Sequence, residues 1–462
     1  MARGRAWLWA AVWTALALGA CAQRPLACEI VCCDLMPHCS NATSMSCDCP
    51  NSHEMRLREG SIPKTVKYVH ISNARTVVIG RNLIYALYAL RDLVIMDVDS
   101  VDVHSDGLAQ SAASSLQQLR LERVHTVELR RESLSGTWRG DAVITLHRVK
   151  YLRLGGLAFH FSGVLPGPRV VLDLVGDLHA ERHAFKATIG HLSLVNVTMR
   201  VCRPDTFRGE ITSLELLGCR LDSLESGCLR AEEGWRRVAV RACRLGAVRR
   251  RALSGPVDAV LLEASTVDVM HEGALQLQVD RLELQRVDVA EMGPRALNVT
   301  ACTSVRLVES RVALLRALAL AAVRLSNCEH SDVHPFTVHL LHVGDAENGS
   351  LAVHADLPAA AVNWDSLMLD ADCSCQAAEL ARQLVAGGST APLTDTQREL
   401  AEHVSRSGYC RDEHGGAERL ADAATACRSA SGGAVSLDQD VVFYGVLPVP
   451  AQDSRKCSVT DL

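Results

Sequence analysis

The chain has 462 residues, of which 48% are hydrophobic and 22% are charged, and its formal net charge is −5. This balance excludes a disordered chain, a strongly basic nucleic-acid-binding protein and a polyacidic tail protein. The length would allow two or three globular domains, but that estimate does not apply to a chain that is built from internal repeats.

The first residues have the composition of an export signal. Arg3 and Arg5 give a positive start, a short apolar run follows, and Ala20-Cys21-Ala22 has the small-x-small form of a cleavage site. The sequence therefore predicts a signal peptide over residues 1–22 and a secreted protein. A signal anchor and a bacterial lipobox ending at Cys21 are the less favoured alternatives. No later run of eighteen apolar residues occurs, so no membrane span is predicted.

Cysteine usage fits an oxidising compartment. The sequence has 18 cysteines, six of them between Cys28 and Cys49 and four near the C-terminus. In an exported chain such cysteines are more often disulfides than metal ligands. Without Cys21 the number is odd, so Cys457 is a candidate for linking two chains into a dimer, or for pairing with Cys328 or an N-terminal cysteine.

An exported chain is also expected to carry N-linked glycans. Asn-x-Ser/Thr sequons predict a glycoprotein modified at four positions, which are Asn41, Asn196, Asn298 and Asn348.

The middle of the chain is a repeat. With Leu214 as zero, apolar or small residues fall at offsets 0, 2, 5, 7, 10 and 15. Six successive units follow this frame, and all 36 positions are apolar except Ser265 and Ser310. Looser copies extend from Val69 to Leu367, about every 23 residues. One unit cannot bury its own apolar side, but a stack of units can, so the frame predicts a solenoid.

The best copies are Ile211-x-x-Leu214-x-Leu216-x-x-Cys219-x-Leu221 and the matching run from Val279 to Val289. They resemble the leucine-rich repeat family. The resemblance implies an α/β solenoid, a horseshoe of roughly 14 irregular repeats with short parallel strands on its concave face. One departure matters, because the position of the family's asparagine ladder is Val, Cys, Cys, Ser, Val and Ser in the six units. The carbonyl groups of the loops must then be satisfied in another way.

The two ends also resemble extracellular leucine-rich repeat proteins. Cysteine-rich segments precede and follow the repeat, which gives an N-terminal cap over 23–60, a solenoid over 61–370, a C-terminal cap over 371–430 and a tail over 431–462. In the C-terminal segment a Cys-x-Cys motif, a helix-like run and two further cysteines follow the family pattern. The resemblance implies two disulfide pairs there, Cys373 with Cys410 and Cys375 with Cys427.

The candidate binding surface is the strand face that points away from the core. Its interleaved charges and scarce aromatic residues suit a protein ligand or receptor better than stacked sugars or bases. A glycan at Asn196 would obstruct its edge, which favours the stretch from about Leu214 to Val323. The predicted binding residues are Arg237, Arg241, Glu263, Arg281, Glu283, Gln285, Arg286, Arg306, Glu309 and Arg324.

Catalytic motifs are not found, so the sequence predicts a protein-binding scaffold without enzymatic activity, cofactor, metal ion or nucleic-acid partner. Arg249-Arg250-Arg251 could contact a glycosaminoglycan or be a processing site, although a solvated loop is the simpler interpretation. Two alternatives stay open. The first is an exported parallel β-helix that degrades polysaccharides, and the second is a disulfide-linked structural matrix protein.

Overall fold

The structure is a computed structural model. It describes residues 28–50, 54–162, 166–232, 235–326, 336–354, 357, 361–373, 377–386, 394–412, 416–423 and 425. The predicted signal peptide, the predicted tail with Cys457, and Cys328, Cys375 and Cys427 lie outside these residues.

The described chain folds as a β-solenoid of about 13 turns with little helix. Its largest sheet has 19 strands, and apart from the N-terminal hairpin their pairings are parallel. The strands of this sheet are Cys33–Met36, Ser44–Asp48, Met55–Leu57, Tyr68–Ser72, Thr76–Ile79, Asp92–Val103, Gln118–Leu129, Val143–Leu154, Arg169–Ala180, Thr188–Val195, Phe207–Leu217, Leu229–Ala231, Arg237–Arg241, Leu253–Glu263, Leu275–Gln285, Leu297–Val308, Val323–Leu325, Phe336–His339 and Val362–Asp365.

Two smaller sheets complete the solenoid. A two-stranded parallel sheet pairs Leu134–Thr137 with Phe159–Ser162. The remaining sheet has ten strands, which are Thr198–Cys202, Arg220–Leu224, Arg244–Val248, Thr266–Met270, Asp288–Met292, Arg311–Leu315, His342–Ala346, Leu367–Asp372, Gly408–Arg411 and Ala417–Arg419.

Each turn in the middle of the chain has three strand segments, and each segment pairs with the equivalent segment of the next turn. We call the three resulting surfaces face A, face B and face C. Face A contains 207–209, 229–231, 253–257, 275–279, 297–301 and 323–325; face B contains 213–217, 237–241, 259–263, 281–285 and 304–308; and face C contains 220–224, 244–248, 266–270, 288–292 and 311–315.

The repeat frame of the sequence corresponds to the interior of the solenoid. All 36 positions of the six units are buried, including Ser265 and Ser310. Offsets 0 and 2 lie on face B, offsets 7 and 10 on face C, and offset 15 on face A in most units. At offset 15 the rings of Phe159, Phe185 and Phe207 stack through successive turns, with centroids 4.8 and 4.9 Å apart. The prediction of a solenoid with short parallel strands is thus confirmed.

The α/β horseshoe is not what the described residues form. The segments expected to carry the chain back across the core are two further strands, and the described turns contain no return helix. The physical reason is an alternation of side chains at offsets 6 to 8, as in Arg220-Leu221-Asp222 and Thr266-Val267-Asp268. A polar-apolar-polar order has the period of a strand with one buried side. Face B is therefore one of three strand faces, and not the single strand layer of an α/β repeat.

Within each turn, two of the corners that connect one face to the next contain a residue in the left-handed backbone region. Between faces B and C these residues are Asn73, Asp97, Arg123, Arg148, Leu174, Asn196, Gly218, Ala242, Ala264, Arg286, Glu309, Leu340 and Ser366. Between faces C and A they are Asn82, Asp106, Glu132, Leu157, His183, Asp205, Gly227, Arg251, Gly273, Arg295, Leu318 and Gly349. The backbone N–H of one corner residue typically donates to a carbonyl of the adjacent turn, as from Gly218 to Arg241 at 2.9 Å. Repeated corners of this kind satisfy backbone groups that a loop would otherwise leave unpaired.

The N-terminal end of the solenoid is a small disulfide-rich unit. Cys33–Met36 and Ser44–Asp48 form an antiparallel hairpin whose second strand pairs with Tyr68–Ser72 of the first turn. Its disulfides join Cys28 to Cys39, Cys32 to Cys49 and Cys33 to Cys47. The hairpin therefore covers the first strand of the stack.

The C-terminal end carries the α-helices Ala377–Ala386 and Asp395–Ser407. Leu384, Leu400 and Val404 are buried in the same apolar cluster as the solenoid core. Cys373 and Cys410 form a disulfide, with Cα atoms 5.1 Å apart. These helices shield the last turn from water, as the end of a stacked core requires.

Candidate functional site

The ten predicted binding residues do not all lie on one surface. Seven lie on face B itself, and Arg286 and Glu309 lie at the corner where face B ends. Arg324 belongs to Val323–Leu325, which pairs with Val299–Ala301 on face A. Its assignment to the same surface was therefore wrong, because the turn that contains it is longer than the others: Val305 of face B pairs with Phe336, so Val323 does not begin a new face B strand.

Strand register arranges the outward residues of face B as three rows across four turns. The first row is Ser213, Arg237, Ala259 and Arg281; the second is Glu215, Ala239, Leu261 and Glu283; and the third is Leu217, Arg241, Glu263 and Gln285. Neighbours within a row are about 4.8 Å apart and rows are about 7 Å apart, so the outward side chains other than the buried Ala239 form one continuous surface.

The centre of this surface is apolar. Ala259 and Leu261 are partly exposed at adjacent outward positions, and Leu217 at the edge is 39% exposed, whereas Ala239 beside Leu261 is only 2% exposed. Sequence reasoning missed these residues because it considered only polar side chains at outward positions. The signal was present, since a leucine at an outward offset breaks the alternation that the neighbouring turns keep.

Charged residues around the apolar centre are held by an ion-pair ladder that crosses the turns. The Arg241 guanidinium lies 3.1 Å from Glu215 Oε1 and 3.2 Å from Glu263 Oε2. Arg286 Nη2 donates to Glu263 Oε1 at 2.6 Å, and His191 Nε2 lies 3.9 Å from Glu215. These side chains are about one-quarter to one-half exposed. The ladder fixes rotamers more than it adds stability, because exposed ion pairs contribute little.

The pKa of His191, at the start of this ladder, is lowered by burial, and nearby Arg169 lowers it further. Its imidazole is therefore mainly neutral near pH 7 and adds no fixed charge to the ladder. A second ion-pair group lies upstream at the corner between faces B and C, where Asp97 accepts hydrogen bonds of 2.6 and 2.7 Å from the Arg123 guanidinium. That guanidinium holds the pKa of the Asp97 carboxyl below its usual range.

The four sequons lie on exposed side chains at different places in the fold. Asn196 occupies a left-handed corner between faces B and C, with its side chain toward Gly218 of the next turn. A glycan on Asn196 would thus leave the molecule at a corner. Asn298 lies on face A, and Asn348 lies at a corner beyond face C. Whether any of the four is modified stays a prediction.

Face A carries a groove of about 610 Å³. Its lining is rich in amide and hydroxyl side chains, which include Ser254, Gln276, Gln278, Asn298 and Thr300. Arg230 and Asp205 lie at its far end, where Arg230 Nη1 is 3.5 Å from Asp205 Oδ1. Asp205 is also 3.4 Å from Arg182. In the described lining of this groove Asp205 is the single carboxylate, and it is held by arginines.

The clustered arginines Arg249, Arg250 and Arg251 lie at the corner before face A, and all three are exposed. Arg251 donates to the side chain of Gln276, and Arg249 lies 3.3 Å from His271 Nε2. Their glycosaminoglycan contact stays a prediction.

Three sulfur atoms come close enough together to be considered as metal ligands. Those of Cys32, Cys33 and Cys49 lie within 4.8 Å of one another. Each of these cysteines is already in a disulfide, so none offers a thiolate to a metal ion.

Among the residues that the structure describes, no helix has the length and apolar character needed to cross a bilayer. A comparison with protein-family models gives no match. A comparison with curated protein sequences gives none either.

Proposed function

We propose that this chain is a secreted, non-enzymatic repeat scaffold that binds an extracellular protein through face B. The observation that carries the proposal is the partly exposed apolar centre of Ala259 and Leu261 inside a border of charged side chains. Protein-protein interfaces have this arrangement, an apolar core depleted of charge within a polar rim. The fixed geometry of Arg241 and Glu263 supports it further, since pre-ordered side chains lose less entropy on binding.

Disulfides and solenoid architecture support the extracellular setting. A β-solenoid with disulfide-bonded ends, together with Cys202–Cys228 inside the repeat, is stable where thiols are oxidised. The disulfide-rich hairpin and the C-terminal helices favour a relation to capped leucine-rich repeat proteins. Three strands per turn favour the parallel β-helix instead, so the scaffold proposal does not depend on which of the two relations holds.

The parallel β-helix alternative includes polysaccharide hydrolysis, for which the groove around Asp205 on face A is one candidate location; a second groove upstream contains the carboxylates of Asp106, Glu132, Glu210 and Glu232. A glycosidase needs two carboxyl groups that flank the scissile bond. Asp205 has no second carboxylate facing it among the described residues of the groove lining. We therefore expect no release of reducing ends from neutral or acidic polysaccharides incubated with the protein. Sustained release that is lost in Asp205→Asn would favour the enzyme.

The binding proposal is tested with an array of extracellular ectodomains and protein from a secretory host. For a partner found in this way, we expect Leu261→Arg and Arg281→Glu each to weaken the affinity at least tenfold. The first places a charge in the apolar centre, and the second reverses a charge at its border. The matched control is Arg324→Glu, which makes the same charge reversal on face A and should leave the affinity within twofold. Loss of affinity in the control alone would contradict the proposal.

A further inference from the structure

We infer that the groove on face A holds the chain's own N-linked glycan, attached at Asn298. The inference goes beyond the binding surface on face B and rests only on the secretion part of the proposed function. Asn298, in the sequon Asn298-Val299-Thr300, is exposed and lies at one end of the groove, so the groove and the attachment point are a single structural feature.

Strand register leads from the attachment point along the groove. Asn298 pairs with Gln276, Gln276 pairs with Ser254, and Ser254 pairs with Arg230. These residues lie on consecutive turns with outward side chains, so the row runs along the axis of the solenoid for about 14 Å. A glycan that leaves Asn298 in this direction would cross an amide, a hydroxyl and a guanidinium in turn.

The chemistry of the lining matches the first sugars of an N-linked glycan. These are N-acetylglucosamine residues, which offer hydroxyl groups and an acetamide group but no charge. Gln276, Gln278 and Ser254 can both donate to and accept from such groups. Pro256 is exposed beside Gln278 and offers an apolar ring edge to the C–H side of a sugar.

Side chains of the groove are already ordered before any sugar binds. Arg251 Nε donates to Gln276 Oε1, which leaves the amide nitrogen of Gln276 directed to another partner. Arg230 is held near Asp205, so its charge is partly neutralised. A neutral sugar chain suits this lining better than a strongly anionic polymer does.

The inference is tested by the rate at which an enzyme releases the glycan from the folded protein. The protein is secreted from cells that keep their glycans in the high-mannose form and is then treated, while folded, with an endoglycosidase that cuts between the two core N-acetylglucosamines. We expect the glycan at Asn298 to be released at least tenfold more slowly than those at Asn41, Asn196 and Asn348. Asn196 is the control for an ordered backbone, because it connects the strands Thr188–Val195 and Thr198–Cys202 of the solenoid and does not line this groove.

Further variants distinguish protection of the glycan by the groove from protection by the rigid strand. The double variant Gln276→Ala and Gln278→Ala should speed release at Asn298 and leave the rate at Asn196 unchanged. Asn298→Gln should lower the melting temperature, whereas Asn348→Gln should not. Equal release rates at Asn298 and Asn196, or an Asn298 that is unmodified when the other sequons are modified, would overturn the inference. Neither result bears on binding through face B, which Leu261→Arg tests independently.

Discussion

At the scale of single residues, the position of the missing asparagine ladder is filled by serine or cysteine in four of the six units and by valine in the other two. The Cys243 N–H donates to Ser265 Oγ at 3.1 Å, and the Val287 N–H donates to Ser310 Oγ at 3.2 Å. Ser310 in turn donates to the Val308 carbonyl at 2.9 Å. The sequence predicted that carbonyls at this bend need other partners, and small side chains with one hydroxyl or thiol provide them. Asparagine is therefore not required where the next element is a strand.

Replacing Ser265 by alanine tests this ladder. The change leaves the buried N–H of Cys243 without its acceptor, which costs about 1–3 kcal/mol in the free energy of unfolding. Thr266→Ala, an exposed neighbour, should change stability by no more than about 0.5 kcal/mol. Urea denaturation measures both. Equal stability of the two variants would show that the Ser265 hydroxyl does not support the bend.

Cys219 and Cys243 are the free cysteines among the described residues, and both are buried. The Cys219 N–H donates to Cys243 Sγ at 3.3 Å. A side-chain hydrogen bond with Cys243 and burial both raise the pKa of the Cys219 thiol. We expect Cys219 to resist iodoacetamide in the folded protein at pH 8 and to react after denaturation. Rapid labelling of the native protein would contradict this placement, because buried neutral thiols are unreactive.

At the scale of elements, several corners place a residue with a side chain in the left-handed backbone region, which lowers the stability of the folded chain. Leu340, at a corner between faces B and C, has φ of 53° and is 47% exposed. The left-handed backbone conformation costs a residue with a side chain about 1 kcal/mol of conformational energy, whereas it costs glycine almost nothing. Glycine occupies the equivalent corner at Gly218, where an added Cβ would meet Asn196 Oδ1 of the preceding turn.

Leu340→Gly should therefore raise stability by up to about 1 kcal/mol. The matched control is Leu217→Gly, at an exposed leucine that ends the strand Phe207–Leu217, which should lower stability by about 0.5–1 kcal/mol. Gly218→Ala should lower it as well, because it combines backbone strain with a clash. Thermal unfolding of the three variants gives the order, and a destabilised Leu340→Gly would count against the corner geometry.

At the scale of the whole molecule, several partly buried histidines link stability to pH. Burial lowers the pKa of His179, His183, His191 and His342. The unfolded chain, with histidine pKa values near about 6.5, therefore binds more protons than the folded chain around and below that pH. Stability is then full above this range and falls as the pH drops through it.

We expect the melting temperature to be lower at pH 5.5 than at pH 7.5, and the double variant His179→Gln and His191→Gln to reduce the difference. The pKa of Asp97 is lowered by its hydrogen bonds with Arg123, so its effect on stability appears only below about pH 4. A melting temperature that stays constant or rises between pH 7.5 and 5.5 would contradict this assignment.

Sequence periodicity predicted the interior of the solenoid but not the path between its interior positions. Every position of the repeat frame is buried because a stacked core requires apolar residues there. The apolar residues at offsets 5 to 15 fit either a segment with a helix or two strands between one face B strand and the next. Only the polar-apolar-polar alternation around Leu221 and Val267 favours the two strands. Arg324 was misplaced because one longer turn changes the register. The apolar centre at Leu261 depends on neighbours in adjacent turns, which a single repeat unit does not contain.

The central claim, that face B binds a protein, is tested most directly by placing a glycan on it. The double variant Ala259→Asn and Leu261→Thr creates a sequon at the apolar centre, and Thr266→Asn with Asp268→Thr creates a matched one at outward positions of face C. With secretion and melting temperature matched, we predict that the glycan on face B abolishes partner binding and the glycan on face C leaves the affinity within twofold. Full binding with the face B glycan, or loss of binding with the face C glycan, would contradict the account.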